Sequence, residues 1–353
     1  MKRVTMYIFL LTALLSLGAC SDSGTGLMTP ASSGRAYEML VVMNDSLWNR
    51  PAGRALFDAL DTDVPGLPQS ERSFRIMQIN ESQHNRTFGI FRNIIIPKID
   101  RMYTQAKFKY SRDVHASPQM IMTIQAPNEQ AFADYVNEHK QTIVDFFTRA
   151  EMNRQVKELE KDFSEGTAQR VKDMFGYEIR MPSDVGHFYK SGKDFLWETT
   201  YSHDLNLILY TYPFTDKETF TEEFFVRKRD SVMRANPFGP ADNSYMSTYT
   251  PYLVSKDIAV RGKYAQEIKG LWEMKNAVMG GPYVSHVRVD EEKGLVVVAE
   301  VFIFAPEKKK RDIMRRMEAA LYTLKLPNDI STNTTQQAVE GIEEEKVETD
   351  ATR

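Results

Sequence analysis

The chain contains a single cysteine, Cys20, and its setting indicates a chemical modification. Lys2 and Arg3 give the chain a basic start, and an apolar stretch then runs from Tyr7 to Ala19. This stretch is too short to cross a bilayer, which takes about 20 helical residues. A basic start, a short apolar core and small residues at its end are typical of a cleavable export signal. We therefore expect cleavage before Cys20, which makes it the first residue of the mature chain.

The segment that ends in Cys20, Leu17-Gly-Ala-Cys, resembles the lipobox of bacterial lipoproteins. The resemblance implies a diacylglyceryl thioether on the Cys20 sulfur and an amide-linked chain on the new N-terminus, with fatty acyl groups such as palmitate. Each buried methylene contributes about 0.8 kcal/mol, so two or three chains anchor a protein stably where one does not. The alternative is an ordinary secretory signal followed by an incidental cysteine.

Residues that bind metals are present, but not at metal-binding spacings. Zinc ligands often recur at positions i and i+4 of a helix or i and i+2 of a strand. None of the six histidines has a second one at such a spacing. These are His84, His115, His139, His187, His203 and His286. Asp61-Thr-Asp63 begins like a calcium loop, but Pro65 stands where the third oxygen ligand belongs, which favours a plain turn. We expect no metal and no cofactor.

Motifs of covalent and phosphate chemistry are also missing from the sequence. No Gly-x-Ser-x-Gly segment forms a nucleophile elbow, and the Gly-Gly pair after Met279 lacks the lysine of a phosphate-binding loop. Carboxylates number 48, but no local pattern selects a catalytic pair. Catalysis is therefore left open, and a non-catalytic role is favoured.

Two segments carry aromatic and polar residues suited to ligand binding. The first contains Asn44, Trp48, Asn49 and Arg50, between a predicted strand and a helix start. Free backbone N–H groups there attract anions, and a tryptophan can stack on a sugar ring. The alternative is that Asn49 caps the helix that carries Pro51 while Trp48 packs into the core.

The second candidate is the loop 279–283, which is rich in glycine and has Trp272 and Tyr283 at its flanks. The two rings would offer apolar surfaces to a ligand. The alternative is a hairpin turn with buried aromatics.

Positive charge is concentrated in a basic cluster near the end of the predicted folded region. Its members are Lys308, Lys309, Lys310, Arg311, Arg315 and Arg316. The cluster begins a predicted helix, where the helix dipole disfavours cations, so capping does not explain it. We expect it to face lipid phosphates or an acidic partner, including the acidic C-terminal segment of this chain. The alternative is a solvated helix face.

Composition and patterning divide the chain into five parts. With 42% hydrophobic and 26% charged residues, the 353-residue chain is typical of a globular protein. The net charge of −3 gives no general attraction to nucleic acid. The predicted parts are a signal peptide (1–19), a flexible tether (20–35), an N-terminal α+β domain (36–163), a C-terminal α+β domain (164–327) and a disordered acidic tail (328–353).

A strand, a proline and an amphipathic helix follow one another three times. The strands end at Pro127, Pro213 and Pro306, and apolar residues at three- and four-residue spacing predict a helix after each. Hairpins are predicted at 195–212 and 283–304. Together these patterns predict an α+β fold of two tandem domains that meet near Ser164, with antiparallel sheets and helices packed on one face. A duplication is left open as the origin of the repeat.

Further elements are predicted in the first domain. Strands are expected at 37–43, 74–79, 88–96 and 107–114. The helix after Pro127 is expected to run past Glu160. Its second half, 149–162, is highly charged, so we expect it to be exposed or to connect two bodies.

Several segments together resemble an envelope lipoprotein family of the Bacteroidota that is known only as a domain of unknown function. They are Leu47–Asn49, Val64–Pro68, Arg92–Ile96, Gly270–Met274, Met279–Tyr283, Lys308–Arg311 and Leu321–Lys325. The resemblance extends over almost the entire mature chain. It implies a Gram-negative envelope location and a two-part α/β body, and it implies no activity, substrate or catalytic residue.

The expected location and function of the protein follow from the predicted lipid anchor and from the absence of catalytic motifs in the sequence. In lipoproteins of this phylum, acids directly after the cysteine accompany surface display, and here Asp22 is the one acid in 21–24. We expect an outer-membrane lipoprotein that faces the periplasm, with surface display as the alternative. The favoured function is non-catalytic binding of a partner protein or an envelope ligand such as a glycan. The alternative is a hydrolase of envelope glycans or lipids, which a deep cleft with two facing carboxylates about 5–10 Å apart would support.

Overall fold

The structure is a computed structural model that describes residues 29–236, 243–327 and 329. Within these residues lie eight α-helices and two sheets, which confirm the predicted α+β class and the two tandem domains. The signal segment, Cys20 and the acidic tail apart from Asp329 lie outside the described residues, as do the predictions made on them. No helix in the described ranges is long and apolar enough to cross a membrane.

The N-terminal domain is built on a five-stranded sheet in the order β2-β1-β3-β5-β4. Its strands are β1 (Glu38–Val42), β2 (Arg75–Ile79), β3 (Asn93–Ile99), β4 (Lys107–Arg112) and β5 (Met120–Ala126). β1 pairs in parallel with β2 and β3, and β3 in parallel with β5, while β4 joins antiparallel. This sheet is therefore mixed rather than antiparallel, because a helix between β1 and β2 returns the chain for parallel pairing.

The helices of this domain are α1 (Asp45–Trp48), α2 (Pro51–Leu60), α3 (Arg86–Gly89), α4 (Glu129–Glu138) and α5 (Lys140–Leu159). Alternation along β1 places Met39 and Val41 in one core with α2, α4 and α5. Leu40 and Val42 point to the opposite face, beside Phe91. The three longer helices thus share one face of the sheet, as predicted.

One predicted strand of this domain, 88–96, begins later than expected. The side chain of Asn85 accepts hydrogen bonds from the N–H groups of Thr87 and Phe88 and so caps α3. This cap makes the first part of the segment helical. β3 begins only at Asn93.

The C-terminal domain contains a seven-stranded sheet in the order β6-β7-β8-β12-β11-β10-β9. Its strands are β6 (Phe188–Ser191), β7 (Phe195–Thr199), β8 (Leu205–Pro213), β9 (Tyr245–Val260), β10 (Lys263–Lys275), β11 (Gly280–Asp290) and β12 (Leu295–Ile303). All neighbouring pairs are antiparallel, as predicted. The predicted hairpins are present as β7–β8 and β11–β12, whereas the long β9–β10 hairpin has no counterpart in the prediction.

Helices cover both faces of this second sheet. α6 (Glu165–Phe175) and α8 (Arg311–Leu321) pack on one face, and α7 (Glu222–Ala235) packs on the other. The prediction of helices on one face is therefore wrong for this sheet. Its central strands β8 and β12 are apolar and buried along nearly their entire length, so both of their faces need a covering layer.

The three predicted strand–proline–helix units are present as β5–α4, β8–α7 and β12–α8. β8 and β12 are direct neighbours in one sheet, but α7 and α8 lie on its opposite faces. Duplication as the origin of the units stays a prediction.

The predicted long helix is broken at His139, and its second part, α5, connects the two domains. Ile143 and Phe147 lie in the core of the N-terminal domain. Met152 and Val156 lie in a core of the C-terminal domain. One rigid helix therefore contributes to both cores, which confirms the connecting role.

The charged second half of α5 is exposed at its end, but two of its charged residues, Glu151 and Arg154, are buried. The Glu151 carboxylate accepts hydrogen bonds from Arg154 at 2.7 Å and from the Asn93 amide at 2.6 Å. Arg92 lies 3.0 Å from its other oxygen. Arg154 comes from α5 itself, and the other two partners come from β3 and the residue before it, so together they satisfy the buried charge inside the fold.

Candidate functional site

The basic cluster is not the exposed patch that the sequence predicts. Lys310, Arg311 and Arg315 are only 3%, 5% and 5% exposed. The other three members, Lys308, Lys309 and Arg316, are exposed. The interpretation as one solvated or partner-facing surface is therefore wrong for half of the cluster.

The buried members of the cluster lie at the seam between the domains. The backbone N–H groups of Lys310 and Arg311 donate to the two carboxylate oxygens of Glu71 at 2.6 and 3.2 Å. Arg315 donates to the backbone carbonyl of Ser73 at 2.8 Å. A side chain of the N-terminal domain thus caps α8, and neighbouring carbonyls accept hydrogen bonds from the cations that the dipole disfavours.

The first candidate segment forms two short helical boundaries instead of an open site. Asn49 ends α1, and its side-chain amide donates to the Asp45 carbonyl at 3.0 Å. Arg50, rather than Asn49, precedes α2, and it forms an ion pair with Glu129 at 3.1 Å. The predicted capping of α2 by Asn49 is therefore wrong, because Asn49 ends the short helix α1 and Arg50 takes the position before α2.

The rest of that segment does not form an open site either. The residue before α1 is Asn44, whose side chain makes no capping hydrogen bond. The N–H of Asp45 donates to the Asn80 side chain at 2.9 Å. Trp48 packs edge-on against Phe57, with ring centroids 6.2 Å apart. These positions do not converge on one pocket.

The second candidate pair lies inside the C-terminal core. Trp272 on β10 is 2% exposed, and its indole N–H donates to the Ile303 carbonyl at 3.3 Å. Tyr283 on β11 is fully buried, with the Arg229 guanidinium 4.2 Å from its ring centre. Gly281 belongs to β11, where a Cβ would meet the Ile303 carbonyl oxygen at 2.0 Å. The glycine serves close strand packing, and neither ring is open to a ligand.

A cavity of about 380 Å³ lies between the two domains. Thr148, Arg149, Met152 and Val156 form one wall, and their three- and four-residue spacing puts them on one face of α5. The opposite wall is 256–261, the end of β9 and its turn into β10. Because the walls come from different domains, the cavity exists only when both are folded together.

The floor of the cavity is a buried ionic triad. The Lys269 ammonium lies 3.2 Å from a Glu267 oxygen and 2.8 Å from a Glu318 oxygen. The Tyr322 hydroxyl donates to Glu267 at 3.3 Å. His286 is buried behind the triad, with Nε2 3.6 Å from Glu267. β10 and α8 hold these side chains in place, so the floor is rigid.

Burial and the nearby positive charge have opposite effects on the pKa values of the two carboxyl groups of the triad. Burial raises the pKa of Glu318, and the positive charge of Lys269 offsets only part of that effect. Burial alone would also raise the pKa of Glu267, but Lys269 and His286 hold it below its usual range. The ammonium is therefore stably paired with at least one carboxylate.

The walls, in contrast, carry polar groups that lack partners. Arg149 makes no hydrogen bond or ion pair with any residue that the structure describes. Arg261 donates from Nη2 to the Thr323 carbonyl at 3.3 Å, while its buried Nε has no acceptor within the described ranges. The buried Thr148 hydroxyl likewise has no partner there. Buried donors are nearly always satisfied in proteins, so these groups mark a place for a ligand or for water.

The carboxylate pair in the floor does not resemble a hydrolytic site. Both carboxylates contact the same ammonium, so Lys269 occupies the space between them. A glycosidase needs one free acid and one free base or nucleophile on the two sides of a scissile bond. Among the described residues no group of three or more His, Cys, Asp or Glu side chains is arranged to hold a metal ion. The geometry of this carboxylate pair therefore does not match that of a glycosidase.

Few features of the sequence indicate this cavity. Arg149 belongs to the charged segment that was expected to be exposed, and Lys256 and Arg261 lie in a hairpin that was not predicted. The one available signal was the connecting role of α5, because a helix shared by two domains must border their interface.

Comparisons with known protein families give one match for each domain, and neither match assigns a function. Residues 32–160 match the family described as Domain of unknown function (DUF8532), and residues 164–323 match Domain of unknown function (DUF4837). No curated protein matches the chain. The Saccharomyces cerevisiae Ran-binding protein Mog1p is similar in structure at 9% identity and a TM-score of 0.28, over 43% of this chain and 92% of that chain. A mutant of the protein Mog1 is similar at 9% identity and a TM-score of 0.27, over 42% and 90% of the two chains.

Proposed function

We propose that this protein is a lipid-anchored protein of a Gram-negative cell envelope that binds a small envelope ligand, without catalysis, in the cavity between its domains. The export signal and the segment Leu17-Gly-Ala-Cys before the mature chain support acylation of Cys20. The resemblance to a lipoprotein family of the Bacteroidota supports an outer-membrane location, facing the periplasm.

The observation that carries the binding proposal is the set of unpartnered donors on the cavity walls. Arg149, Arg261 and Thr148 each present at least one polar group without a partner among the described residues. Leaving the buried Arg261 Nε and Thr148 hydroxyl unpaired costs about 1–3 kcal/mol each, which a bound ligand would recover. The charged side chains of the cavity floor are already paired with one another, so they shape the site but offer no free reactive group.

A hydrolase acting through carboxylates is the weaker candidate. Glu267 and Glu318 are close enough to act as a pair, but Lys269 bridges them. A substrate would have to displace a buried ammonium that two carboxylates stabilise, which is costly in a desolvated site.

Native mass spectrometry of the full-length protein, isolated from the producing envelope, tests the binding proposal. We expect the wild-type protein to carry a small molecule that denaturation releases. Ala259→Trp should abolish the adduct, because Ala259 lines the cavity and an indole there would fill part of it. Gly192→Ala is a matched control on the far side of the sheet, where a Cβ meets no atom closer than 3.9 Å. Adducts of equal abundance in wild type and Ala259→Trp, or no adduct in wild type, would contradict the proposal.

A further inference from the structure

The charged groups that line the cavity are unevenly paired. Asp145 faces Lys256 at 3.7 Å, and Asp257 accepts a hydrogen bond from the Tyr264 hydroxyl at 2.8 Å. The other two acids of the lining are the carboxylates of the floor, which share Lys269. Every carboxylate of the cavity therefore has a donor.

Two cations of the cavity form no ion pair with an acid among the described residues. Arg149 has no ion-pair partner in the part of the chain that the structure describes, and neither does Arg261. A guanidinium has five N–H donors and no acceptor. Arg261 uses one nitrogen on a backbone carbonyl, and Arg149 uses none. The chemistry that the cavity lacks is thus a set of anionic oxygen acceptors.

The two arginines come from opposite sides of the domain seam. Arg149 projects from α5, and Arg261 lies in the turn between β9 and β10. Lys256 pairs with Asp145 at one end of the same two walls. An anion that contacts both guanidinium groups would therefore add a second ionic contact between the domains, beside the ion pair of Lys256 and Asp145.

We propose that the ligand of the cavity is an organic anion whose carboxylate or phosphate oxygens are bound by Arg149 and Arg261, with the Thr148 hydroxyl as a further donor. This inference rests on the proposed function and names the ligand class. Met152, Val156 and Ile258 give the same cavity an apolar part, which suits the carbon skeleton of such an anion. Charge-assisted hydrogen bonds to guanidinium are about twice as strong as neutral ones, so the anionic group dominates recognition.

Thermal unfolding of the full-length protein in two probe anions tests the inference. Sodium phosphate or sodium succinate replaces sodium chloride at constant ionic strength, and the unfolding midpoint is followed against anion concentration. A ligand that binds only the folded state raises the midpoint in a saturable way. We expect such a rise with at least one of the two anions, and the more effective anion distinguishes phosphate from carboxylate recognition.

Variants of the two arginines test whether the rise in the unfolding midpoint comes from anion binding in the cavity. In Arg149→Gln and in Arg261→Gln the concentration that gives half of the rise should increase about tenfold or more, which corresponds to the loss of about 1.4 kcal/mol. Arg149→Lys keeps the charge and should retain part of the effect. Arg316→Gln is the matched control, since Arg316 pairs with Asp184 on the exposed side of α8.

Two outcomes would overturn the anion inference. One is a midpoint that responds to neither anion beyond the sodium chloride baseline, and the other is an unchanged response in both glutamine variants. If an adduct that Ala259→Trp abolishes is nevertheless present in the native mass spectrum, the proposed function stands and the ligand is not recognised as an anion.

Discussion

At the scale of single residues, buried charges specify much of this molecule. Arg229 and Glu300 are both 0% exposed in the C-terminal core, with two hydrogen bonds at 2.8 and 2.7 Å between them. Ser285 also donates to Glu300 at 2.7 Å, and Arg229 donates to Thr248 at 3.1 Å. The pair is enclosed by partners on all sides, so neither charge can reach water when the other is removed.

Arg229→Met should therefore lower the free energy of unfolding by about 3–5 kcal/mol, because it leaves a buried carboxylate unpaired. The double variant Arg229→Met with Glu300→Leu should recover most of that loss. Urea unfolding of the single and double variants gives the comparison. A double variant less stable than Arg229→Met alone would show that the ion pair itself, rather than the cost of an orphaned charge, stabilises the core.

Asp312 makes the seam between the domains sensitive to acid. Burial alone would raise the pKa of Asp312, but Arg311 and Arg75 hold it below its ordinary value. A carboxyl whose pKa is lower in the folded state stabilises the fold above its unfolded pKa, about 3.9, and loses that contribution as the pH falls through its folded pKa.

Asp312→Asn should accordingly be less stable than wild type at pH 7, and the difference should shrink below about pH 4. Urea midpoints of both proteins, measured from pH 7 to pH 3, give the difference directly. Asp58→Asn is a control, because Asp58 pairs with Arg54 on an exposed helix face. A wild-type advantage that does not change with pH would show that Asp312 acts through packing and not through its charge.

At the scale of elements, α8 depends on a cap from the other domain. No side chain of its own first turn caps it, and Glu71 accepts hydrogen bonds from two of its N–H groups instead. Helix caps are worth about 0.5–2 kcal/mol, and a carboxylate also favours the positive end of the helix dipole.

Glu71→Gln should lower the free energy of unfolding by about 1 kcal/mol and should increase amide exchange at the start of α8. Glu138→Gln, on an exposed helix end, is the matched control. Chemical denaturation and amide hydrogen exchange measure the two effects. Normal exchange at Lys310 and Arg311 in Glu71→Gln would mean that the cap is dispensable.

A helix or strand could be predicted from the sequence when the pattern that specifies it lies within its own residues. α4 and α8 were predicted because their apolar residues recur at helical spacing, and the hairpins because turn residues separate apolar strands. β9 was missed because its middle, 249–259, contains Pro251 and is largely exposed, so it owes its strand structure to pairing with β10. The position of the basic cluster was misjudged for a similar reason, since Glu71 and Ser73 are far away in the sequence.

At the scale of the whole molecule, the two domains share one helix. α5 packs in both cores, so the domains are joined by buried surface and not by a linker alone. The cavity residues could not be predicted as a site, because Arg149 and Arg261 meet only through the docking of the two domains. The proposed acylation of Cys20, in contrast, is predicted from a local motif that needs no tertiary structure.

Cys20→Ser should release the protein from membranes, because a hydroxyl cannot form the thioether that carries the acyl chains. Metabolic labelling with palmitate and partition between detergent and water measure the change. Wild type should be labelled and should enter the detergent phase, and the variant should do neither. Equal partition of the two proteins into detergent would refute acylation at this residue.

The most direct test of ligand binding at the domain seam is amide hydrogen exchange on two forms of the same protein. One form is isolated from the envelope, and the other is unfolded in denaturant, separated from small molecules and refolded. We expect slower amide exchange in the isolated form on both cavity walls, 145–156 and 256–261, with no difference at the distant strand β6. Equal exchange on both walls in the two forms would contradict the claim that this cavity holds a ligand.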